Sequence, residues 1–304
     1  MVHGWQLFAD YPRRVLWSRG DGCMELADLL AGEAATRLDG NPRDACVTAR
    51  ADLIVMGALS SFDLVPVVAP KNLVPERVSS VVAALASGPH SALATQLAKR
   101  LAARLGVPVE AVSAVRPGAA RGQARARLTE IRQASGIPGR VVETATASGL
   151  LESIDENALL VMGAPGGSWL TRQFFGPGAK LIKAAPGGTI VVRDAPLRSF
   201  QAMGAADGYG EDTQVATVLQ VTQSPIIPIV DDGVLIGVAR RTELERAAGE
   251  APLSTVMEPP PIVSADDAVS DLIEVLEFLD GGAVPVVDHA GKLIGQIEPD
   301  QLTD

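Results

Sequence analysis

The clearest structural pattern in the chain is in residues 157–194, N-A-L-L-V-M-G-A-P-G-G-S-W-L-T-R-Q-F-F-G-P-G-A-K-L-I-K-A-A-P-G-G-T-I-V-V-R-D. A short apolar run over 158–162 is followed by a glycine-rich loop. An amphipathic run over 178–185 and a β-rich run over 189–192 complete the stretch. This order predicts strand, loop, helix and strand, which is the repeating unit of a parallel α/β sheet.

The glycines of this loop have a definite spacing. Two residues separate Gly163 from Gly166, and nine separate Gly166 from Gly176. Glycine has no Cβ, so backbone N–H groups can approach a ligand closely. Gly176 and Gly178 stand just before the predicted helix, whose free N–H groups favour an anion. The loop therefore predicts a phosphate-binding turn, and the alternative is a turn that only lets the helix pack on the sheet.

This spacing resembles the ATP-binding signature G-x2-G-x9-G-[S/T] of the universal stress protein family. Three glycines match, but the final Ser/Thr position is Pro177, which has neither a hydroxyl nor an N–H. The family's nucleoside-contacting Asp, at the end of the first strand, corresponds to Ala86. The resemblance implies a site for ATP or AMP, with Mg²⁺ accompanying ATP as one alternative. The residues assigned to this site are Gly163, Gly166, Gly176, Gly178, Ser87, Gly88, Val115 and Arg172.

Residues 79–196 are predicted to form a complete domain, in which five strands alternate with four helices. This pattern predicts an α/β fold with a doubly wound parallel five-stranded sheet and a ligand site outside the carboxyl ends of the strands. The order again resembles a universal stress protein domain, of the adenine nucleotide alpha hydrolase-like fold. The predicted strands are 80–86, 107–115, 140–146, 158–162 and 189–192, and the helices are 91–105 (capped by Ser91), 118–135, 148–155 and 178–185.

Residues 1–78 are predicted to be a degenerate half of the same α/β unit. The run A-D-L-I-V-M-G-A over 51–58 echoes the strand and glycine at 158–164. A strand over 14–18 and a helix over 24–38 precede it, and S-R-G-D-G at 18–22 is interpreted as a strand-to-helix turn rather than an anion cradle. Three prolines within 65–75 predict a connector.

Residues 213–304 contain an internal repeat. The stretches 224–244 and 281–302 each predict strand, Asp-Gly turn, strand and helix start, with amphipathic helices over 215–221 and 267–279 before them. The pattern P-V-V-D-x-x-G-x-L-I-G resembles a tandem pair of CBS domains, which implies a C-terminal α/β CBS pair. At the family's adenosine-ligand positions the first copy has Arg240 and Glu243, and the second copy has Glu298 and Gln301.

The resulting predicted domains are 1–78, 79–196 and 197–304, and their charges differ. The whole chain has net charge −10. Residues 79–199 carry an excess of basic side chains, which suits an anionic ligand, whereas residues 200–304 are strongly acidic. Nucleic acid is therefore not expected as a partner. No apolar run has the length of a membrane span and no secretory leader is recognised, so membrane insertion is not expected and a cytoplasmic location is predicted.

No catalytic constellation is found in the sequence. The three histidines have no metal-ligand spacing, there is no nucleophile elbow or Walker loop, and His90 is interpreted as a solvent-facing residue at a helix start. The leading hypothesis is a non-enzymatic regulator of stress or energy state that binds an adenine nucleotide. The alternative is a ligand-free module that dimerises or docks on a transporter or enzyme. A homodimer or higher homo-oligomer is expected. The resemblance implies association through the helices of the CBS pair and pairing of strand 189–192 across a two-fold axis.

Overall fold

The computed structural model describes residues 11–85, 89–164, 185, 187–278 and 282–302. These residues divide into two compact units, 11–195 and 196–302. Among them there is no helix with the length and apolar character needed to cross a membrane.

The first unit is built on one nine-stranded sheet with the order β2-β1-β3-β4-β9-β8-β5-β6-β7. All neighbouring strands in this sheet are parallel except β4 and β9, which are antiparallel. The strands are β1 (Val15–Trp17), β2 (Thr36–Arg37), β3 (Leu53–Val55), β4 (Val67–Lys71), β5 (Ser80–Ala84), β6 (Val109–Val115), β7 (Gly139–Glu143), β8 (Ala158–Gly163) and β9 (Thr189–Arg193). The helices are α1 (Cys23–Leu30), α2 (Pro42–Ala49), α3 (Pro89–Leu105), α4 (Gly122–Ser135) and α5 (Ala147–Leu151), with a 3₁₀ turn at Pro75–Arg77.

The sheet consists of two halves with the same winding. The second half, β9-β8-β5-β6-β7, has the order of a doubly wound fold whose direction switches between β5 and β8. The first half, β4-β3-β1-β2, repeats this order without a counterpart of β7. The predicted five-stranded sheet is therefore one half of a larger sheet, and residues before 79 supply the other four strands.

The two halves meet at β4 and β9, along the edge that the sequence analysis assigned to a dimer contact. Five residue pairs join them, from Val67 opposite Arg193 to Lys71 opposite Thr189. Because β9 is bonded to β8 on one side and to β4 on the other, it offers no free edge to a second copy. The expected pairing of residues 189–192 across a two-fold axis is wrong for this reason.

The prediction of a connector over 65–75 is also wrong, because this segment contains β4. The carbonyl oxygens of Pro66 and Val68 accept the N–H groups of Ile54 and Met56 on the β3 side. Successive residues of a strand direct their N–H and C=O groups to opposite sides, so residues 66, 68 and 70 all face the β3 side. The nitrogen of Pro70 therefore points to that side, but β3 has already ended at Val55. No N–H is needed there, and a strand with a proline is tolerated.

Several predicted helices have different starts or ends in the structure, among them α4, which begins at Gly122, and α5, which ends at Leu151. The helix predicted over 178–185 lies almost entirely outside the described residues. The helix predicted over 24–38 ends at Leu30, where the N–H groups of Gly32 and Glu33 bond to the segment before β1 instead of continuing the helix. Helix α3 begins at Pro89, so Ser91 is a buried residue inside its first turn and not its cap. Proline favours the first turn because its φ angle is already helical and its missing N–H is not needed.

The core of the first unit lies on both faces of the central strands. Every residue of β8 from Ala158 to Met162 is buried, as expected for a parallel strand covered on two sides. On one face α3 inserts Leu93, Leu97 and Leu101, each at most 1% exposed. Burial of each such leucine stabilises the fold by about 2 kcal/mol. The loops at the edges of the sheet therefore start from strands that are buried on both faces.

The second unit contains two β-hairpins that match the predicted repeat. In the first hairpin, Asp232 and Gly233 have φ angles of 47° and 81°, the turn conformation that Asp-Gly favours. The elements are α6 (Ser199–Ala202), α7 (Val215–Val221), β10 (Ile226–Asp231), β11 (Val234–Arg240), α8 (Arg241–Leu244), β12 (Val263–Ser264), α9 (Val269–Phe278), β13 (Val284–Val287) and β14 (Leu293–Ile297), with 3₁₀ turns at Leu253–Thr255 and Pro299–Leu302.

Candidate functional site

The loops predicted to bind the nucleotide leave from neighbouring strands. Strands β5 and β8 pair in parallel, with Ala84 opposite Met162, so their carboxyl ends meet at one edge of the sheet. Val115 ends β6, the next strand on the other side of β5. The starts of both loops and Val115 are therefore brought to the switch point of the sheet, where doubly wound folds bind ligands. Six of the predicted site residues lie outside the described residues: Ser87, Gly88, Gly166, Arg172, Gly176 and Gly178.

Gly163, the first glycine of the motif, has a packing role. A Cβ placed on it would lie 2.8 Å from the carbonyl carbon of His90 and 2.9 Å from the nitrogen of Ser91. These are backbone atoms in the first turn of α3, which cannot move aside as the end of a side chain can. The close approach of α3 to β8 therefore requires glycine at 163, as in the packing alternative of the sequence analysis.

His90 is half-buried and bonded, so the prediction of a solvent-facing histidine is wrong. Its Nδ1 accepts a hydrogen bond of 3.0 Å from the backbone N–H of Asp194, just after β9. Burial lowers the pKa of His90, and the nearby positive charge of Arg193 lowers it further. The histidine is accordingly neutral at pH 7, and Nδ1 is the acceptor nitrogen. This bond attaches the start of α3 to the end of β9.

Asp194 is a buried carboxyl group at the same edge of the sheet. Burial raises the pKa of Asp194 to about 7, although a hydrogen bond from the Ala195 N–H to its Oδ1, at 3.0 Å, opposes the shift. Desolvation penalises the charged form of a carboxyl group, which is why the pKa rises. His90 and Asp194 thus place two groups with altered pKa values beside the switch point.

The corresponding edge of the first half of the sheet is closed. A Cβ on Gly20 would lie 3.0 Å from the Cα of Gly57, so the loops after β1 and β3 are in direct backbone contact. Lys71 also donates a hydrogen bond of 2.7 Å to the carbonyl of Gly57. The loop at 18–22 is a strand-to-helix turn, as the sequence indicated, and it packs on the loop that follows β3.

In the second unit, each copy of the repeat packs its leading segment on the hairpin of the other copy. Gly204 bonds through its N–H to the carbonyl of Gln296 in β14, at 2.8 Å. In the reciprocal contact, Glu258 and Val238 of β11 exchange two backbone hydrogen bonds of 2.8 and 3.0 Å. The residue before each leading segment is a methionine, Met203 or Met257, and it lies over a glycine of the hairpin.

The two glycines under these methionines have different neighbours. A Cβ on Gly295 would lie 2.5 Å from the backbone oxygen of Gly204, whereas a Cβ on Gly237 would first meet the flexible side chain of Met257. We therefore expect Gly295→Ala to lower the free energy of unfolding by about 2–3 kcal/mol and Gly237→Ala by about 1 kcal/mol. Urea denaturation of both variants measures the difference. Equal losses in the two variants would contradict the close approach of the Gly204 backbone to Gly295.

The predicted CBS ligand residues are engaged within the chain. Arg240 forms an ion pair with Glu258, with Nε and Oε2 3.3 Å apart. Glu243 forms an ion pair with Arg246. In the second copy, Glu298 accepts a hydrogen bond of 3.0 Å from the buried Gln296 side chain. These contacts occupy the side chains that the family resemblance would assign to an adenosine ligand.

The repeated unit begins earlier than the predicted start at residue 213. Tyr209 pairs with β10 and Val263 pairs with β13, and each lies six residues after its methionine. In sequence, the two copies share only a methionine followed six residues later by an apolar residue. This pattern is weak, because the five residues between differ completely. Within the described part of the chain, no cluster of His, Cys, Asp and Glu side chains is placed to hold a metal ion.

Residues 253–303 match the CBS domain family and form a CBS domain. Comparison with curated protein sequences gave no match. Solved structures similar to this chain include the cytosolic domain of the Mg²⁺ channel MgtE in complex with ATP, with 23% identity and a TM-score of 0.33 over 34% of this chain and 47% of that one. The CBS domains of a transcriptional regulator from Streptococcus pneumoniae are 18% identical, with a TM-score of 0.30 over 35% of this chain and 91% of that one.

A hemolysin-like protein containing a CBS domain, from Oenococcus oeni, is also similar. It is 20% identical, with a TM-score of 0.31 over 35% of this chain and 88% of that one. These matches cover about a third of the chain, and the chain spans about half of the MgtE domain. The resemblance of residues 79–196 to universal stress proteins stays a prediction.

Proposed function

We propose that this chain is a non-enzymatic regulatory protein of the cytoplasm, which binds ATP or AMP at the switch point between β5 and β8 and uses its CBS pair as a regulatory module. The observation that supports this proposal is the pairing of Ala84 with Met162. It means that two loops with glycine, serine and arginine residues start side by side, at the edge where such folds bind nucleotides. The basic character of residues 79–199 also suits an anionic ligand.

The described residues limit how the nucleotide would be held. The space beside Gly163 is filled by the backbone of α3, so this glycine cannot provide the close approach to phosphate. The phosphate contacts therefore fall to the backbone N–H groups around Gly166 and Gly176, because Pro177 has none. His90 cannot act as an Nδ1 donor while its Nδ1 accepts from Asp194.

The proposal is tested by titrating ATP and AMP into the full chain and by mass spectrometry of any nucleotide released on denaturation. We expect Gly166→Val to weaken binding about thirty-fold to a thousand-fold, which corresponds to about 2–4 kcal/mol of lost charge-assisted contacts. Pro177→Ser restores a hydroxyl and an N–H and should tighten binding. Arg240→Ala is the matched control in the CBS pair and should leave the titration unchanged.

The alternative function is a ligand-free module that associates with another protein. The ion pairs of Arg240 with Glu258 and of Glu243 with Arg246 favour it, because they occupy the side chains that would otherwise be offered to an adenosine ligand. A wild-type chain that binds neither nucleotide at millimolar concentration, with Pro177→Ser equally inert, would support this alternative. Loss of binding in Arg240→Ala, with Gly166→Val unaffected, would instead move the nucleotide to the CBS pair.

A further inference from the structure

One edge of the nine-stranded sheet is formed by β7, which among the described strands is bonded to β6 alone. The carbonyl of Pro138 accepts the N–H of Ala111 in β6, and the N–H of Thr144 bonds to the carbonyl of Val115. Because backbone groups alternate in direction along a strand, even-numbered residues of β7 face β6 and odd-numbered residues face away from the sheet. The outward-facing residues are Gly139, Val141 and Glu143.

Helix α4 lies beside this edge and runs in the direction opposite to β7. Arg121, just before α4, pairs with Glu143 at the end of β7, with Nη2 and Oε1 2.6 Å apart. A Cβ on Gly139, at the start of β7, would lie 2.6 Å from the side chain of Leu128. A groove of about 410 Å³ lies between the helix and the strand. Its lining includes Arg125, Thr129, Arg132 and Val141.

Four arginines are among the residues that line this groove, and two of them are paired within the chain. Arg121 and Arg140 form ion pairs with glutamates of β7 and β6. Arg125 and Arg132 are exposed, and neither has an acidic partner among the described residues. They are seven residues apart on α4, which is about 10 Å along the helix axis. The groove therefore presents two separated positive charges beside an open strand.

We propose that the edge of β7 binds an extended acidic segment of a partner protein, which adds to the sheet as a further strand. The outward N–H and C=O groups of β7 pair with the backbone of such a segment, as in other cases of strand addition. Alternate residues of a strand share one face and lie about 6.6 Å apart. Acidic side chains at alternate positions can therefore reach both Arg125 and Arg132.

A second copy of β7 is a poorer occupant of this edge, because it would bring the same arginines against these. The surface is also separate from the switch point between β5 and β8, since β6 lies between β5 and β7. Peptide binding and nucleotide binding can thus be measured independently in the same chain.

The probe is the end-blocked peptide Glu-Thr-Glu-Thr-Glu-Thr-Glu, titrated into the full chain at low ionic strength and followed by fluorescence anisotropy. We expect Arg132→Ala to weaken binding about five-fold, since it removes one exposed charge contact. Arg127→Ala is the matched control, because it removes the same charge from the same helix. Arg127 does not line the groove, since it lies about 200° around the helix axis from Arg125. This control should leave peptide binding unchanged.

Pairing of the two backbones is tested separately from charge. Methylation of the backbone nitrogens of either the glutamates or the threonines removes one of the two alternating sets of N–H groups in the peptide. Only one set can face β7, so one methylated peptide should bind at least about ten-fold more weakly and the other should bind like the parent peptide. Val141→Pro removes an N–H that faces away from β6, where an edge strand tolerates proline, and should also abolish binding. Circular dichroism checks that this variant keeps its fold.

Equal affinities of the two methylated peptides would overturn the proposal, as would equal weakening by Arg132→Ala and Arg127→Ala. Absence of binding by the parent peptide at about 1 mM would do the same. Binding of a single-stranded oligothymidylate that is lost in Arg132→Ala, without peptide binding, would make the groove a nucleic-acid site instead. Self-association of the chain that Val141→Pro removes would assign the edge to a second copy.

Discussion

Gly163→Ala is expected to lower the free energy of unfolding of the first unit by about 2–3 kcal/mol, and its Tm by about 4–12 °C. The added methyl group would lie 2.8 Å from the His90 carbonyl carbon and 2.9 Å from the Ser91 nitrogen. Both are backbone atoms of α3. This helix is also bonded to the segment just after β9, because His90 Nδ1 accepts a hydrogen bond from the N–H of Asp194. The helix can therefore yield only by moving away from the sheet, which exposes leucines that are buried against it.

Gly122→Ala is the matched control for this prediction. Gly122 begins α4, and no atom lies within 4 Å of a Cβ placed on it. Alanine is the better helix former, so this variant should be unchanged or slightly more stable. Thermal unfolding followed by circular dichroism measures both variants. Equal stability of Gly163→Ala and the parent, with a loss of nucleotide binding, would show that Gly163 serves the ligand and not the packing of α3.

This prediction shows what a glycine motif in a sequence can and cannot indicate. The spacing of Gly163, Gly166 and Gly176 predicts a loop after a buried strand, and the strand is present as β8. The same spacing does not distinguish a glycine that admits a ligand from one that admits a helix, because both need the absence of a Cβ. For Gly163, the position of α3 shows that the absent Cβ makes room for a helix. The helix residue that it contacts, His90, lies 73 residues earlier in the sequence, so a local pattern cannot reveal the contact.

The strands of residues 79–196 could be predicted because each is an apolar run with glycine or proline nearby. β4 could not be predicted in this way, because Pro66 and Pro70 on either side of its apolar residues are typical of a connector. Pro70 is accepted there only because β3 ends at Val55 and leaves no partner for an N–H on that side. Whether a proline fits in β4 therefore depends on how β4 is aligned with β3, and this alignment cannot be read from a local sequence pattern.

The same strand explains why the predicted pairing of residues 189–192 with a second copy was wrong. The resemblance to universal stress proteins implied that β9 would pair with the same strand of a second copy. Here β4 of the same chain occupies that edge, and its antiparallel pairing with β9 joins the halves β4-β3-β1-β2 and β9-β8-β5-β6-β7. The first half is then best understood as an internal partner, whose own switch point is closed by the contact of Gly20 with Gly57.

Asp194→Asn is expected to stabilise the protein at pH 8 by about 2–4 kcal/mol and to have little effect at pH 4. Burial raises the pKa of the Asp194 carboxyl to about 7 in the folded chain, against an ordinary value of 3.8. Below pH 4 the group is protonated in both the folded and unfolded states, so it costs nothing. Between pH 4 and pH 7 the unfolded state loses its proton first, and the folded state becomes progressively less favoured. The full cost is present above pH 7.

The difference between variant and parent isolates this carboxyl group from His90, which acts in the opposite direction. The pKa of His90 is lowered in the folded chain, so acid favours the unfolded state, where the imidazole takes up a proton more readily. That effect is present in both proteins and cancels in the difference. Asp39→Asn is the control, because it makes the same substitution at an exposed position. Urea unfolding at half-unit steps from pH 4 to pH 8 should therefore give a gain for Asp194→Asn that rises with pH and levels off above 7. A gain that is constant across this range would mean that the carboxyl group is ionised in the folded chain throughout, and that burial does not control its proton.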